Sequence, residues 1–377
     1  MKVINSGTID INAGGVATGI YYTMLGLRGQ GVDADIFMYK TGSDAELVGE
    51  NVSVFYTQKP TINKIAYSSK YKADLQSIGV YDIYHAQGIW QYPTYAMIDV
   101  AKKFSRPYLI SPHGMLYPQD IAKSSSLFKK LSLKARLLSY FNGAACVHAT
   151  CQQELDHCRN LAIKSPIAII SNPVEIVDYI EKKEDNIFRV GYLGRISPRK
   201  NVESLIYAFA DLKDKIAGAE LLIIGGGDDE YEKFLRLEVK RLNLSDRVSF
   251  TGFLSGQEKN RAIASLSLLV MPSEFENHGI VVLEALVRKI PVIATKGSPW
   301  QELHTYGCGW WVDYNQNAIT EAIEAAFNTP LSELEAMGQR GRELMEQNYS
   351  VEAVGTKMKA LYEWILTKRD KPEFVYE

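Results

Sequence analysis

The stretch Leu268-Leu-Val-Met-Pro-Ser-Glu-Phe-Glu-Asn-His-Gly-Ile-Val-Val-Leu-Glu-Ala-Leu-Val287 decides how the rest of the chain is read. Leu268 to Met271 is a short apolar run closed by Pro272 and Ser273, the pattern of a strand buried on both faces of a parallel sheet. From Ile280 the spacing turns helical, with Leu283, Ala285, Leu286 and Val287 crowding one side. Gly279 stands where that helix begins, so its first amides lack partners inside the helix. A strand, a polar turn and a helix N-terminus together form a site for anions or hydroxyl groups. Glu276 precedes the helix and Glu284 lies in its second turn. A carboxylate on an otherwise apolar helix needs a partner, because burying an unpaired charge is costly.

Working upstream, Phe188-Arg-Val-Gly-Tyr-Leu-Gly-Arg195 reads as a strand that opens a new α/β pattern. It leads through Ile196-Ser-Pro-Arg-Lys-Asn201 into a helix from Val202 to Leu212. Arg195 and Lys200 therefore lie on one strand-to-helix loop, where a guanidinium and an ammonium hold concentrated negative charge such as a diphosphate. Glu220 to Gly227 is a strand ending in a glycine turn, and no Gly-Lys-Ser/Thr phosphate loop follows it. Arg247 to Leu254 and Pro291 to Ala294 read as further strands, and Cys308 to Val312 as the last. Leu331 to Gln347 and Val351 to Thr367 read as helices.

The first half repeats the pattern. Lys2 to Ile9 reads as a strand, and Gly14 and Gly15 let the backbone approach a ligand at the mouth of the following helix. The dinucleotide fingerprint is absent, because the downstream glycine and the ribose-binding acid after a second strand are lacking. Strands are expected over Val32–Tyr39, Val52–Tyr56, Tyr81–His85, Tyr108–Ser111, Ala144–Ala149 and Ile167–Ser171. His113 falls just past the C-terminal end of one of them, the edge at which open α/β sheets bind ligands. His85 ends the preceding strand and is expected to line the same region. Trp90 and Tyr92 suit stacking on the apolar face of a ligand, and equally suit packing. Two basic amphipathic segments, Lys59–Lys72 and Lys123–Phe141, suit either a packed helix with a solvated face or an approach surface for anionic membrane or a lipid phosphate.

At 377 residues, with 46% hydrophobic and 23% charged residues, the chain has the length and composition of two globular domains. The boundaries are expected at 1–174 for the first domain, 175–187 for a polar linker, 188–350 for the second domain, and 351–377 for a helix crossing back to the first. A formal charge of −2 gives no global pull toward nucleic acid. Cys146, Cys151, Cys158 and Cys308 lack zinc spacing and read as reduced thiols. No apolar run reaches the ~20 residues of a membrane span, and the N-terminus shows no secretory signal. The expectation is a cytoplasmic protein, with any membrane contact peripheral and on the inner face.

Glu276 and Glu284, seven residues between them, together with Gly194-Arg195 and Lys200, resemble the motifs of family-4 retaining glycosyltransferases. The likeness spans nearly the whole chain and is strongest from Val190 to Leu286. It implies a GT-B fold of two Rossmann-like α/β/α domains facing each other across a cleft. It also implies transfer of a sugar from a nucleotide-sugar donor to a hydroxyl, with retained configuration and neither metal nor cofactor. In that family Arg195 and Lys200 would hold the diphosphate, and Gly14 and Gly15 would lie against the phosphates. Glu276 and the amides of Asn277, His278 and Gly279 would hold the donor sugar, Glu284 the ribose, and Gly252, Phe253 and Leu254 the base. His113 would contact the transferred sugar, with His85, Trp90 and Tyr92 toward a sugar, glycan or lipid-linked acceptor. The expected role is cell-surface polysaccharide or lipid-linked oligosaccharide synthesis. Two departures stand out: Glu276-Asn-His-Gly replaces the usual Gly-Phe-Gly turn, and Asn201 stands where glycine is usual. Rival readings are a non-catalytic nucleotide-sugar module, and within enzymes a sugar-nucleotide epimerase or a phosphorylase. The intact charged set disfavours the module, the glutamate spacing an epimerase, and the length a phosphorylase.

Overall fold

In the computed structural model the apolar runs of the first half assemble, with one short strand from residues 375–376, into an eight-stranded sheet. Residues 1–10, 14–40, 46–47, 52–122, 136–178 and 187–377 are described. They form two units, Met1–Glu175 with Tyr349–Glu377, and Ile176–Asn348. Most of the segment 175–187, and the part of the second basic segment from 123 to 135, lie outside the described residues.

The strands of unit 1 are β1 (Lys2–Ser6), β2 (Asp33–Tyr39), β3 (Ser53–Thr57), β4 (Ile83–Gln87), β5 (Tyr108–Ser111), β6 (Cys146–Ala149), β7 (Ile167–Ile169) and, after β8 to β13 of unit 2, β14 (Val375–Tyr376). Their order is β14-β7-β6-β5-β4-β1-β2-β3. All pair in parallel except β14, which runs antiparallel to β7. The winding reverses between β1 and β4, so the loops at their C-terminal ends diverge and leave a crevice. The helix Gly15–Gly29 opens at that crevice.

One face of this sheet is closed by the helix Val351–Thr367. Its Val354, Met358, Leu361, Tyr362 and Ile365 join Val3, Ile20, Met24 and Leu27 in one core. The helix lies against Gly15–Gly29 with the two backbones nearly touching: a Cβ on Gly26 would meet the carbonyl oxygen of Val351 at 2.3 Å. Only residues without side chains permit that approach.

Unit 2 carries β8 (Arg189–Leu193), β9 (Glu220–Ile224), β10 (Val248–Gly252), β11 (Leu268–Met271), β12 (Val292–Thr295) and β13 (Gly309–Val312). The sheet is wholly parallel, in the order β10-β9-β8-β11-β12-β13, and reverses between β8 and β11. The apolar side of the helix Val202–Asp211, with Leu205, Ile206 and Phe209 buried, packs on it. A helix absent from the sequence-based expectation, Gln316–Asn328, packs beside that one, its start capped by the Asn315 side chain on the Ala318 amide.

Candidate functional site

In unit 2 the switch point joins the two motif-bearing loops. Lys200 follows β8 and Glu276 follows β11, and their side chains form an ion pair in which both are largely buried. Arg195 is exposed at the start of the same β8 loop. Asn201, next to Lys200, has φ 52° and ψ 42°, a left-handed backbone that asparagine tolerates better than most residues. The departure from glycine at this position is thereby accommodated. Its side-chain amide also donates to the carbonyl of Pro272 at 3.2 Å, tying the β8 loop to the β11 loop.

Behind Glu276 the turn is held by backbone contacts. The Glu276 amide donates to the carbonyl of Gly297 at 2.9 Å, and a Cβ on Gly297 would lie 1.9 Å from the carbonyl oxygen of Glu274. Gly279 caps the helix Ile280–Val287 with φ 72°, and no side chain occupies its first amides. A Cβ there would press on Met271 at 2.8 Å. His278 is buried and its pKa is lowered to about 4 by burial, so it stays neutral; Trp300 donates its indole N–H to the His278 carbonyl. Asn277 is half-buried on the same turn.

Glu284 is not free in this structure. Lys259, from the helix Gly256–Ala264, holds its carboxylate at 2.7 Å. The partner that a carboxylate on an apolar helix requires is thus supplied by the protein. Gly194, Gly225 and Gly252 gather at the C-terminal ends of β8, β9 and β10: a Cβ on Gly225 would sit 1.9 Å from the Gly194 oxygen, and the Gly225 amide donates to the Gly252 carbonyl. Beyond them Phe253 is 70% exposed, an apolar ring left open to a planar ligand, with Leu254 half-buried after it.

In unit 1, Gly14 has φ 76° and ψ −152°, a conformation open to glycine alone, and no side chain caps the helix that starts at Gly15. His113, two residues beyond β5, has φ 52° and is half-buried. Burial, with His148 adding to it, lowers its pKa to about 3. Its Nε2 lies 2.6 Å from Oε1 of Gln87 at the end of β4. The loop is fixed from below by Glu154, a fully buried carboxylate that accepts from the amides of Gly114 at 2.5 Å and Thr150 at 2.7 Å.

His85 corrects the expectation that it lines the ligand region. It is completely buried, with Nδ1 2.8 Å from the Tyr362 hydroxyl and Nε2 2.7 Å from Ser111 Oγ. A strand histidine points to either face, and this one points toward the closing helix. Tyr92 packs edge-on against Tyr67 and Tyr71, which makes it mainly a packing residue. Trp90 lines a cavity of about 580 Å³ within unit 1, together with Gly7, Lys40, Lys59, Gln87 and Met115. Sequence reasoning missed Asn5, Gln87 and Glu154. Gln87 carried a readable signal, since it precedes a glycine at the C-terminal end of a parallel strand.

Among the described residues no group of His, Cys, Asp and Glu is placed to hold a metal ion, and no helix is long and apolar enough to cross a membrane.

Two family models match the chain: "Glycosyl transferases group 1" over residues 176–344 and "Glycosyl transferase 4-like domain" over residues 14–173. The chain belongs to this family of glycosyl transferases and has the GT-B fold. Similar curated proteins include an alpha-D-kanosaminyltransferase of Streptomyces kanamyceticus, 30% identical over 45% of this chain and 44% of that protein. A GDP-mannose-dependent alpha-(1-6)-phosphatidylinositol monomannoside mannosyltransferase of Mycobacterium tuberculosis is also 30% identical, over 44% of this chain and 45% of that protein. The matches thus span under half the length of these relatives. Among solved structures, sucrose-phosphate synthase from Thermosynechococcus elongatus aligns with a TM-score of 0.78 at 21% identity, covering 98% of this chain and all of that one. Anabaena Alr3699/HepE in complex with UDP and glucose aligns with a TM-score of 0.75 at 20% identity, over 96% of this chain and 99% of that one.

Proposed function

We propose that the protein is a retaining glycosyltransferase that moves a sugar from a nucleotide-sugar donor to a hydroxyl acceptor without a metal. The observation that carries this reading is the Lys200–Glu276 pair at the switch point of unit 2, with Arg195 exposed on the same loop. A diphosphate arriving there meets two cations, one of them already oriented by a carboxylate. Charge that develops on the departing diphosphate is stabilised by Arg195, by Lys200 and by the open helix N-terminus at Gly279. Such stabilisation acts in the transition state and accelerates the cleavage itself. Glu276 orients the donor sugar, the amides after it meet its hydroxyls, and Glu284 reaches the ribose, exchanging its contact with Lys259 in part for that hydroxyl pair. Gly14 and Gly15 admit the phosphates, and Gly252 to Leu254 hold the base.

The family membership supports retention of configuration. The acceptor is read as a sugar, glycan or lipid-linked sugar, and the pathway as cell-surface polysaccharide or lipid-linked oligosaccharide assembly at the inner face of a membrane. A panel of uridine, guanosine and adenosine diphosphate sugars, assayed for nucleoside diphosphate release with and without chelator, tests the core of this reading. Release that survives excess chelator is expected. Tight binding without release from any donor would make the protein a nucleotide-sugar sensor instead, and activity that returns only with added divalent metal would overturn metal independence.

A further inference from the structure

A buried line of polar side chains crosses the sheet of unit 1, and of its members only His113, at its end, has been given a role above. It begins at the carbonyl of Ile170, 2.8 Å from His148 Nε2. His148 Nδ1 lies 2.8 Å from Ser111 Oγ, Ser111 Oγ lies 2.7 Å from His85 Nε2, and His85 Nδ1 lies 2.8 Å from the Tyr362 hydroxyl. The Asn5 side chain acts on the same hydroxyl in the sense that lowers its pKa, as a donor does, and its buried Nδ2 has no hydrogen-bond partner elsewhere. Asn5 Oδ1 lies 2.7 Å from Gln87 Nε2, and Gln87 Oε1 lies 2.6 Å from His113 Nε2. Asn5, His85, Ser111 and Tyr362 are all 0% exposed.

The direction of every bond in this line follows from its first member. A carbonyl only accepts, so His148 carries its proton on Nε2. Burial keeps all three histidines neutral, with His148 lowered to about 4, His113 to about 3 and His85 far below its ordinary value. His148 Nδ1 is therefore bare and accepts from the Ser111 hydroxyl. Ser111, its one proton spent, accepts from Nε2–H of His85. His85 Nδ1 is then bare and accepts from Tyr362. The Tyr362 oxygen has no proton left to give toward Asn5, so Asn5 turns its amide nitrogen to it and its oxygen to Gln87. Gln87 in turn presents its nitrogen to Asn5 and its oxygen to His113. The proton of His113 must sit on Nε2. Among the described residues its Nδ1 makes no hydrogen bond.

We propose that Asn5 and Gln87, backed by Tyr362, His85, Ser111 and His148, are positioning residues that lock His113 as the Nε2–H tautomer, leaving Nδ1 as an acceptor for a substrate hydroxyl. His113 then selects sugars that offer a hydroxyl proton and cannot itself protonate a departing oxygen. The tautomer follows from the hydrogen-bond line and the donation from Asn5 to Tyr362; the identity of the donor to Nδ1 rests on the glycosyltransferase reading above.

Long-range ¹H–¹⁵N correlation on the full chain with ¹⁵N-labelled histidine tests it. The six histidines are resolved by type, and His113 is assigned by its loss in His113→Asn. The expected wild-type signature at neutral pH is a pyridine-type Nδ1 and a pyrrole-type Nε2. Gln87→Leu should give a mixture of tautomers at His113, and Gln87→Glu should keep Nε2–H while making Nδ1 easier to protonate. A wild-type Nδ1–H tautomer or imidazolium, or an unchanged tautomer in a folded Gln87→Leu, overturns the proposal. If Gln87→Leu does not fold, the wild-type signature and Gln87→Glu decide. In turnover, one singly deoxygenated sugar should lose about 2- to 10-fold with wild type and lose nothing further in His113→Ala. Equal losses in both proteins for every deoxy sugar remove the hydroxyl assignment. Absence of any turnover would count against the functional reading and leave the tautomer result standing.

Discussion

The two units share one plan and use it for opposite electrostatics. Each has a parallel sheet whose order reverses once, between β1 and β4 in unit 1 and between β8 and β11 in unit 2. At the reversal in unit 2 stand Arg195, Lys200 and Glu276, charges that are exposed or paired across two loops. At the reversal in unit 1 stand Asn5, Gln87 and His113, all neutral and joined by directed hydrogen bonds. Charge acts at a distance and tolerates imprecise placement, so it suits a flexible diphosphate. Directed hydrogen bonds discriminate between hydroxyl patterns, so they suit a sugar. On the proposed reading, the same topology would supply strength in one unit and selectivity in the other.

The strongest way to break this contrast is to remove the cations. Arg195→Ala or Lys200→Ala should lower turnover by about 2–4 kcal/mol of transition-state stabilisation, seen mainly in kcat. Lys200→Ala should be the worse of the two, because it also leaves the buried Glu276 carboxylate without its partner. Steady-state kinetics on both variants decide it; wild-type rates would remove the diphosphate role.

Packing offers a second test, confined to unit 1. Gly26→Ala pushes a methyl group into the Val351 carbonyl at 2.3 Å, an overpacking cost of about 1–3 kcal/mol against a gain of at most ~1 from better helix propensity. Gly29→Ala, on the same helix with nothing within 4 Å, should be neutral or slightly stabilising. Chemical denaturation of the pair checks the difference, and equal stabilities would mean that the closing helix moves away at no cost.

The histidines predict a pH dependence of stability. His113, His148 and His278 titrate at about 3, 4 and 4 in the folded protein, below the ordinary ~6.5 of the unfolded chain. Between those limits the unfolded state binds protons that the native state refuses, so stability rises with pH there and falls on acidification from ~6.5 toward ~4. Each histidine contributes a slope of at most ~1.4 kcal/mol per pH unit. Thermal melts from pH 7 to pH 4 read it, and a flat profile would show that these rings open to water. His278→Asn should reduce the slope.

The subtlest test separates the two glutamates of unit 2. Glu284→Gln should raise KM and weaken nucleoside diphosphate binding, as loss of a contact that changes little during the reaction. Glu276→Gln should lower kcat with diphosphate affinity nearly normal. Calorimetry on both distinguishes them, and equal losses of affinity would refute the separate assignments to ribose and sugar.

How much of this was legible beforehand divides along physical lines. Leu268–Met271 is apolar throughout and closed by Pro272, and Tyr108–Ser111 is apolar up to its last residue and flanked by Pro107 and Pro112, so both strands are fixed locally and their expected bounds match to the residue. The helix Gln316–Asn328 was readable from its Asn315 cap and from Ile319, Ala322, Ile323 and Ala326 at helical spacing, and was passed over. Strand β14 was not readable, because two residues pair there only through the β7 edge that tertiary folding presents. His85 illustrates the same limit at a site. Its neighbours in sequence are those of a ligand-lining residue, and only the register of β4 beside β5, with Tyr362 arriving from the far end of the chain, shows it to be internal. Lys259 as the partner of Glu284 likewise needed the fold.

The return of Tyr349–Glu377 to unit 1 has a consequence for the order in which the molecule comes into being. Residues 176–348 are continuous, so unit 2 has all its strands once they leave the ribosome. Unit 1 is made earlier yet finishes later. Until Val354, Met358, Leu361, Tyr362 and Ile365 emerge, the face formed by Val3, Ile20, Met24 and Leu27 is uncovered, and His85 lacks the hydroxyl it binds. During synthesis the first-made unit therefore waits with an open apolar face for roughly the time taken to translate the second, about 10–40 s at ordinary elongation rates, and it is this unit, not the one bearing the charges, that chaperones have reason to hold.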